Sequence, residues 1–143
     1  MDRPIFDHLD LRVRNLHEAS PFYDRLMPVV GLNHRRAIGD HVLYYRKLAK
    51  VPAEVVVLFE DPAHEPTQSV VAFYAESYEE VDAAAAILAG AGAQAIEGPM
   101  LCPEYSETYY AVFFRDPSGN RLEVVCRRPT GASSSSASSP NAS

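Results

Sequence analysis

Apolar and polar residues alternate between Ile5 and Val13. Leu9, Leu11 and Val13 fall on one face, and His8, Asp10 and Arg12 on the other. A period of two marks a strand, because successive side chains leave a pleated backbone on opposite sides. The period then changes. Ala19, Phe22, Tyr23 and Leu26 recur at i, i+3, i+4 and i+7, the stripe of an amphipathic helix. Asn15-Leu16-His17-Glu18 precedes it, a cap residue followed three positions later by glutamate. Pro21 lacks an N–H, so a kink or a late helix start is expected there. Gly31 ends the helix. Strands are predicted at His34–Ile38, His41–Leu48 and 54–60. Gly39-Asp40 makes a two-residue hairpin in which glycine accepts a positive φ.

The pattern recurs 62 positions later, counted from Asn15 to Ser77. Ser77-Tyr78-Glu79-Glu80 repeats the cap, and Val81, Ala84, Ala85 and Leu88 repeat the stripe. An alternating run at 69–75 repeats the first strand, and Gly90 and Gly92 stop the helix. Strands at 94–97, 109–115 and 121–127 follow, the last two joined by the turn Asp116-Pro117-Ser118-Gly119-Asn120. The predicted fold is α+β: two βαβββ modules, about 5–61 and about 68–127, forming a cupped mixed sheet in a single domain over 1–128. Each sheet carries one helix outside, and the inner faces line a cup.

Strand parity assigns side chains to that cup. His8, Asp10 and Arg12 share the face opposite the helix, and three polar residues in a row require water or partners. In the last strand, Leu122, Val124 and Cys126 face the helix, while Arg121, Glu123 and Val125 face the cup. Glu123 then has two readings: a solvated or ion-paired carboxylate, with Arg121 or Arg12 as partner, or a ligand or acid/base group. His8 likewise is either a histidine bonded to Asp10 or Glu123, or a ligand.

Composition narrows the function classes. The 143 residues are 47% hydrophobic, enough for a packed core, and the formal net charge is -6. That balance disfavours nucleic acid and anionic membranes, since Arg12/Arg14 and Arg35/Arg36 are too short as basic clusters; it would suit a cationic ligand. No apolar run is long enough to span a bilayer, and the N-terminus lacks a signal peptide's apolar core. Cys102 and Cys126 form no metal-binding spacing and read as free thiols, so a cytoplasmic protein is expected. Residues 129–143 read PTGASSSSASSPNAS, a serine-rich tail expected to be disordered. Ser/His/Asp and P-loop patterns are absent.

Two segments carry a family resemblance. Phe6-Asp7-His8-Leu9-Asp10-Leu11-Arg12-Val13-Arg14-Asn15, followed by Phe22-Tyr23, resembles the opening of a vicinal oxygen chelate protein, the group of glyoxalases, bleomycin resistance proteins and extradiol dioxygenases. The run from Tyr109 to Val125, with its Asp-Pro-x-Gly-Asn turn and strand glutamate, resembles the closing strands and is the more specific of the two. The resemblance implies paired modules around a divalent metal (zinc, manganese, iron or nickel) held by His and Glu ligands that act as a Lewis-acid site. It places ligands on His8 and Glu123, and a fourth on Glu54 if Ala53-Glu54-Val55-Val56 parallels Leu122-Glu123-Val124-Val125. The second-module histidine falls on Val70, which cannot ligate, so the metal is expected to be weakly held or absent.

The resemblance further implies a small-molecule substrate or ligand and a homodimer. Glu123 and Tyr105, the latter on the loop 101–108, are the candidate catalytic residues; Asp10, Arg12, Tyr45 and Tyr74 are the candidate substrate contacts. Tyr109 and Tyr110 read as packing residues. Two functions stay open. One is a metal-assisted lyase, isomerase or dioxygenase. The other is a non-catalytic, metal-free binding protein of the bleomycin-resistance kind.

Overall fold

The computed structural model describes residues 3–128; the expected tail lies outside them. The elements run β1 (His8–Val13), α1 (Leu16–Val29), β2 (His34–Ile38), β3 (His41–Leu48), β4 (Val51–Glu60), β5 (Val70–Tyr74), α2 (Tyr78–Ala91), β6 (Gln94–Leu101), β7 (Tyr110–Arg115) and β8 (Arg121–Cys126). The order is βαβββ twice, the duplication that the sequence predicts. Two four-stranded sheets result, ordered β1-β4-β3-β2 and β5-β8-β7-β6. In each, the first strand lies parallel to the last and the other pairs are antiparallel. No helix among the described residues is long and apolar enough to cross a membrane.

Both helices start where their caps stand. Asn15 Oδ1 accepts from the Glu18 N–H at 3.0 Å, and Ser77 Oγ accepts from the Glu80 N–H at 3.1 Å. The late start expected from Pro21 does not occur: α1 begins at Leu16 and contains both Pro21 and Pro28. The helical carbonyl that Pro21 leaves unpaired belongs to His17, in the exposed first turn, where water can satisfy it. Gly92, with φ 99°, closes α2 in the left-handed conformation.

One hydrophobic cluster joins the modules. Phe22, Tyr23 and Leu26 of α1 pack in it with Val81, Ala84 and Leu88 of α2, Val56 and Leu58 of β4, and Leu122, Val124 and Cys126 of β8. Phe22 lies 6.1 Å from Phe114 between ring centroids. Leu122, Val124 and Cys126 thus face the helices as strand parity predicts, whereas Leu9 of β1 keeps 38% exposure.

A polar clasp crosses the same boundary. Asp116, with no solvent exposure, accepts from the Tyr23 hydroxyl at 2.6 Å, from the Ser118 and Asn120 N–H groups at 2.8 and 2.9 Å, and from Asn120 Nδ2 at 2.9 Å. Asn120 Nδ2 also donates to the Arg12 carbonyl at 2.8 Å, and the Arg14 N–H donates to Ser118 Oγ at 2.9 Å. The Asp-Pro-x-Gly-Asn turn therefore ties module two to both β1 and α1.

Burial, reinforced by the charge and hydrogen bond of Asp116, pushes the Tyr23 phenol well above its ordinary pKa. Burial and then the hydrogen bond to Asp24 do the same at Tyr44. A folded pKa above the unfolded value of about 10 gives stability that is complete below pH ~10 and is lost as pH rises toward the folded value. The unfolding free energy is expected to fall above pH 10 by up to about 1.4 kcal/mol per pH unit for each such tyrosine. Urea unfolding between pH 8 and 11.5 measures this slope. Tyr23→Phe should make it shallower, and an equal slope in wild type and variant would disprove the assignment to Tyr23.

Candidate functional site

The faces turned away from the helices follow from strand register. In the first sheet, His8, Asp10 and Arg12 pair with Val55, Val57 and Phe59 of β4. Phe59 and Val57 pair in turn with His41 and Leu43 of β3. In the second sheet, Val70, Ala72 and Tyr74 pair with Arg121, Glu123 and Val125 of β8, which pair with Arg115, Phe113 and Ala111 of β7. His8, Asp10 and Arg12 are exposed, as three consecutive polar positions on one face require.

A cleft of about 1090 Å³ separates the edges of β1 and β5. Its lining includes His8 and Glu54 from the first module, Val70 and Tyr74 from the second, and the C-terminal end of α1. His8 bonds through Nδ1 to Asp7 at 2.8 Å, not to Asp10 or Glu123. This bond raises the His8 pKa above the ordinary imidazole value and holds the ring through Nδ1. Glu54, at φ 53°, forms an ion pair with Arg46.

Glu123 stands apart from that cleft. It is 6% exposed and accepts a short hydrogen bond from the Tyr109 hydroxyl. Tyr109 packs with Cys102, Ala111 and Val125, its ring 4.9 Å from that of Tyr105 and under the Arg127 guanidinium at 4.7 Å. Burial, then the Glu123 hydrogen bond and charge, push the Tyr109 phenol above its ordinary pKa, so the proton stays on the tyrosine. Burial, with the charges of Glu104 and Glu123, also raises the Cys102 thiol, which makes it a poor nucleophile.

Pairing register settles which residues are equivalent in the two modules. Val70 pairs with Arg121, and Glu123 lies two residues further along β8. His8, the counterpart of Val70, pairs with Val55, and two residues further along β4 stands Val57. The parallel expected between Glu54 and Glu123 is therefore not the one the strands make; Val57 is the counterpart of Glu123. The four related positions hold His8, Val57, Val70 and Glu123. Two of the four are hydrocarbons, which leaves one imidazole and one carboxylate, and that set does not fit a divalent metal that takes three or four protein ligands. Among the described residues, no three His, Cys, Asp or Glu side chains are grouped to hold a metal ion.

Of the residues singled out from sequence, His8, Glu54 and Tyr74 line one cleft. Glu123 and Tyr105 share the Tyr109 cluster. Arg12 lies 4.7 Å from the Phe59 ring centroid, and Tyr45 stacks on His34 at 5.3 Å. Tyr109 is the residue the sequence reading missed. Its parity with Ala111 and Phe113 was the available signal, since it puts Tyr109 on the face of Glu123.

Residues 5–124 match the family model described as Glyoxalase/Bleomycin resistance protein/Dioxygenase superfamily. Among solved structures, the chain is similar to a glyoxalase/bleomycin resistance protein from Albidiferax ferrireducens T118: 25% identity, TM-score 0.72, over 86% of this chain and 99% of that one. It shares its fold with a lactoylglutathione lyase from Agrobacterium tumefaciens (23% identity, TM-score 0.58, 88% and 96% covered). It also shares it with a fosfomycin resistance protein from Mesorhizobium loti (13% identity, TM-score 0.60, 92% and 95% covered). No curated protein matches the chain.

Proposed function

The chain belongs to the glyoxalase/bleomycin resistance protein/dioxygenase superfamily, and from that premise we propose that it binds a small organic molecule on the helix-free faces of its sheets without a metal ion. The observation that carries this reading is the pair of valines, Val57 and Val70, at the positions that mirror Glu123 and His8. Zinc, manganese, iron or nickel would find at most one ligand in each module, His8 lining the cleft and Glu123 apart from it, with Glu54 engaged by Arg46, and so few ligands hold such ions weakly. Binding is tested by thermal unfolding against a small-molecule panel, with and without EDTA. A ligand at 100 times its Kd is expected to stabilise the fold by about 2.7 kcal/mol, equally in both buffers. Stabilisation that disappears in EDTA would refute the metal-free reading.

A second reading has one observation in its favour, the buried Tyr109–Glu123 pair. In it the chain is a metal-independent enzyme, with Glu123 as base, Tyr109 as its proton-bearing partner and Tyr105 at the rim. General acid–base groups contribute roughly 100-fold or more to rate. Turnover of a bound ligand in EDTA, lost in Tyr109→Phe, supports this reading; bound ligands that all return unchanged support the binding protein.

We propose that the protein is a homodimer. β1 and β5 each pair on one side only, and Ile5, Phe6, Val70 and Tyr74 are exposed beside those edges, Ile5 at 90% and Phe6 at 76%. Unpaired edges with apolar flanks favour association. Sedimentation velocity at about 10 μM should give the mass of two chains, and Phe6→Glu should shift it toward one, because a buried charge costs several kcal/mol. A single-chain mass for the wild type would exclude the dimer. Two buried free thiols support a reducing compartment, the cytoplasm, as the location.

A further inference from the structure

A second cleft, of about 270 Å³, opens on the same face of the second sheet, at the end where β8 begins. Arg115 and Arg121 line it, and they are cross-strand partners whose side chains leave the sheet on one side. Like charges directly opposite one another on an antiparallel pair are destabilising unless something neutralises them. Among the described residues, neither arginine forms an ion pair with a carboxylate. Glu97 lines the same cleft without pairing with either. Both guanidinium groups are instead held by neutral acceptors: Arg115 Nη1 donates to the Gly119 carbonyl at 2.9 Å, and Arg121 Nη1 donates to the Gln68 carbonyl and to Gln68 Oε1 at 3.0 and 2.9 Å. These bonds fix the two forks and leave their remaining N–H groups without a carboxylate. The Gln68 side chain, anchored through its oxygen, adds an amide donor.

We infer that this cleft receives the oxyanion of the ligand, a carboxylate or a phosphate on a small molecule, between Arg115 and Arg121. The inference deepens the binding reading above and rests on it. It opposes the cationic ligand that a net charge of -6 would suit, because local geometry outweighs net charge at contact distance. Two half-buried, pre-positioned guanidinium forks match the planar carboxylate and the tetrahedral phosphate, each able to take paired N–H donors. The cleft volume suits one such group with a short substituent.

The test is a titration of the isotope-labelled full chain with phenyl phosphate, benzoate and benzyl alcohol, followed by backbone amide shifts in low salt with and without the neutral chelator 1,10-phenanthroline. Saturable shifts at Gln68, Arg115 and Arg121 are expected from one or both anions. The anion that binds more tightly identifies the oxyanion. Benzyl alcohol should leave these amides in place. Arg121→Gln and, as an independent variant, Arg115→Gln should each weaken anion binding about tenfold or more, with amide spectra otherwise like wild type. The inference fails if the anions shift these amides no more than benzyl alcohol does, or if both folded variants bind them as the wild type does; neutral ligands that still bind elsewhere on the face would leave the binding reading intact. Anion shifts that appear only without the chelator would leave the arginine site standing and remove the metal-free reading.

Discussion

Replacing Asp116 with alanine is expected to destabilise the protein by about 4 kcal/mol, a large part of the 5–15 kcal/mol typical of a domain. The carboxylate is fully buried and satisfies Tyr23, Ser118 and Asn120 together. Truncation strands the Tyr23 hydroxyl and the turn's N–H groups in the core, and an orphaned buried donor costs roughly 1–3 kcal/mol. Tyr23→Phe removes one donor and leaves Asp116 its other three hydrogen bonds, so its cost should be nearer 1–2 kcal/mol. Urea denaturation measures both, with an unchanged m-value. The two changes should also couple in a double-mutant cycle, since each removes the other's partner. A loss below about 1 kcal/mol for Asp116→Ala would mean that water replaces the carboxylate and that the clasp contributes little.

The second large effect is a gain. Val57→Glu combined with Val70→His supplies the two donor types missing from the positions that mirror Glu123 and His8. The double variant is expected to bind a divalent metal such as zinc at least 100-fold more tightly than the wild type, because each module then carries a His and a Glu on neighbouring strands in place of a single ligand, and affinity rises steeply with ligand number. Val57 is buried, so Glu at this position should destabilise the metal-free protein, and added zinc should restore the loss. Elemental analysis after dialysis and the melting temperature with and without zinc read this directly. Wild-type protein that holds one equivalent of metal per chain through dialysis against EDTA would contradict the account of the valines.

Much of the fold could be read from the chain because local signals agreed with one another. Asn15 and Ser77 cap their helices, and Leu122, Val124 and Cys126 lie under them, where a period of two puts them. The site was less legible, because it depends on register. Glu54 mirrors Glu123 by local similarity alone. The ladder between β3 and β4 shifts between Tyr44 and Arg46, and Ala49 and Glu54 adopt positive φ, so the true counterpart falls on Val57. Such irregularities leave no periodic trace in a sequence. Nor did anything near His8 favour Asp7 over Asp10, since adjacent residues on a strand point to opposite faces; the Asp7–His8 bond forms at the strand's start, where Asp7 lies outside β1. The pairing of Tyr23 with Asp116 joins residues 93 positions apart, and only the closed fold brings them together.

That clasp has a consequence for how the two copies relate. Its acceptor lies in one repeat and its hydroxyl donor in the other, while Asn120 and Ser118 reach back to the backbone at Arg12 and Arg14, at the end of the first strand. Neither repeat can open alone without stranding a buried polar group of its neighbour, the Asp116 carboxylate in one case and the Tyr23 hydroxyl in the other. The peptide linking them is then a tether between parts already locked together, and the molecule is expected to melt as one unit although it was written as two.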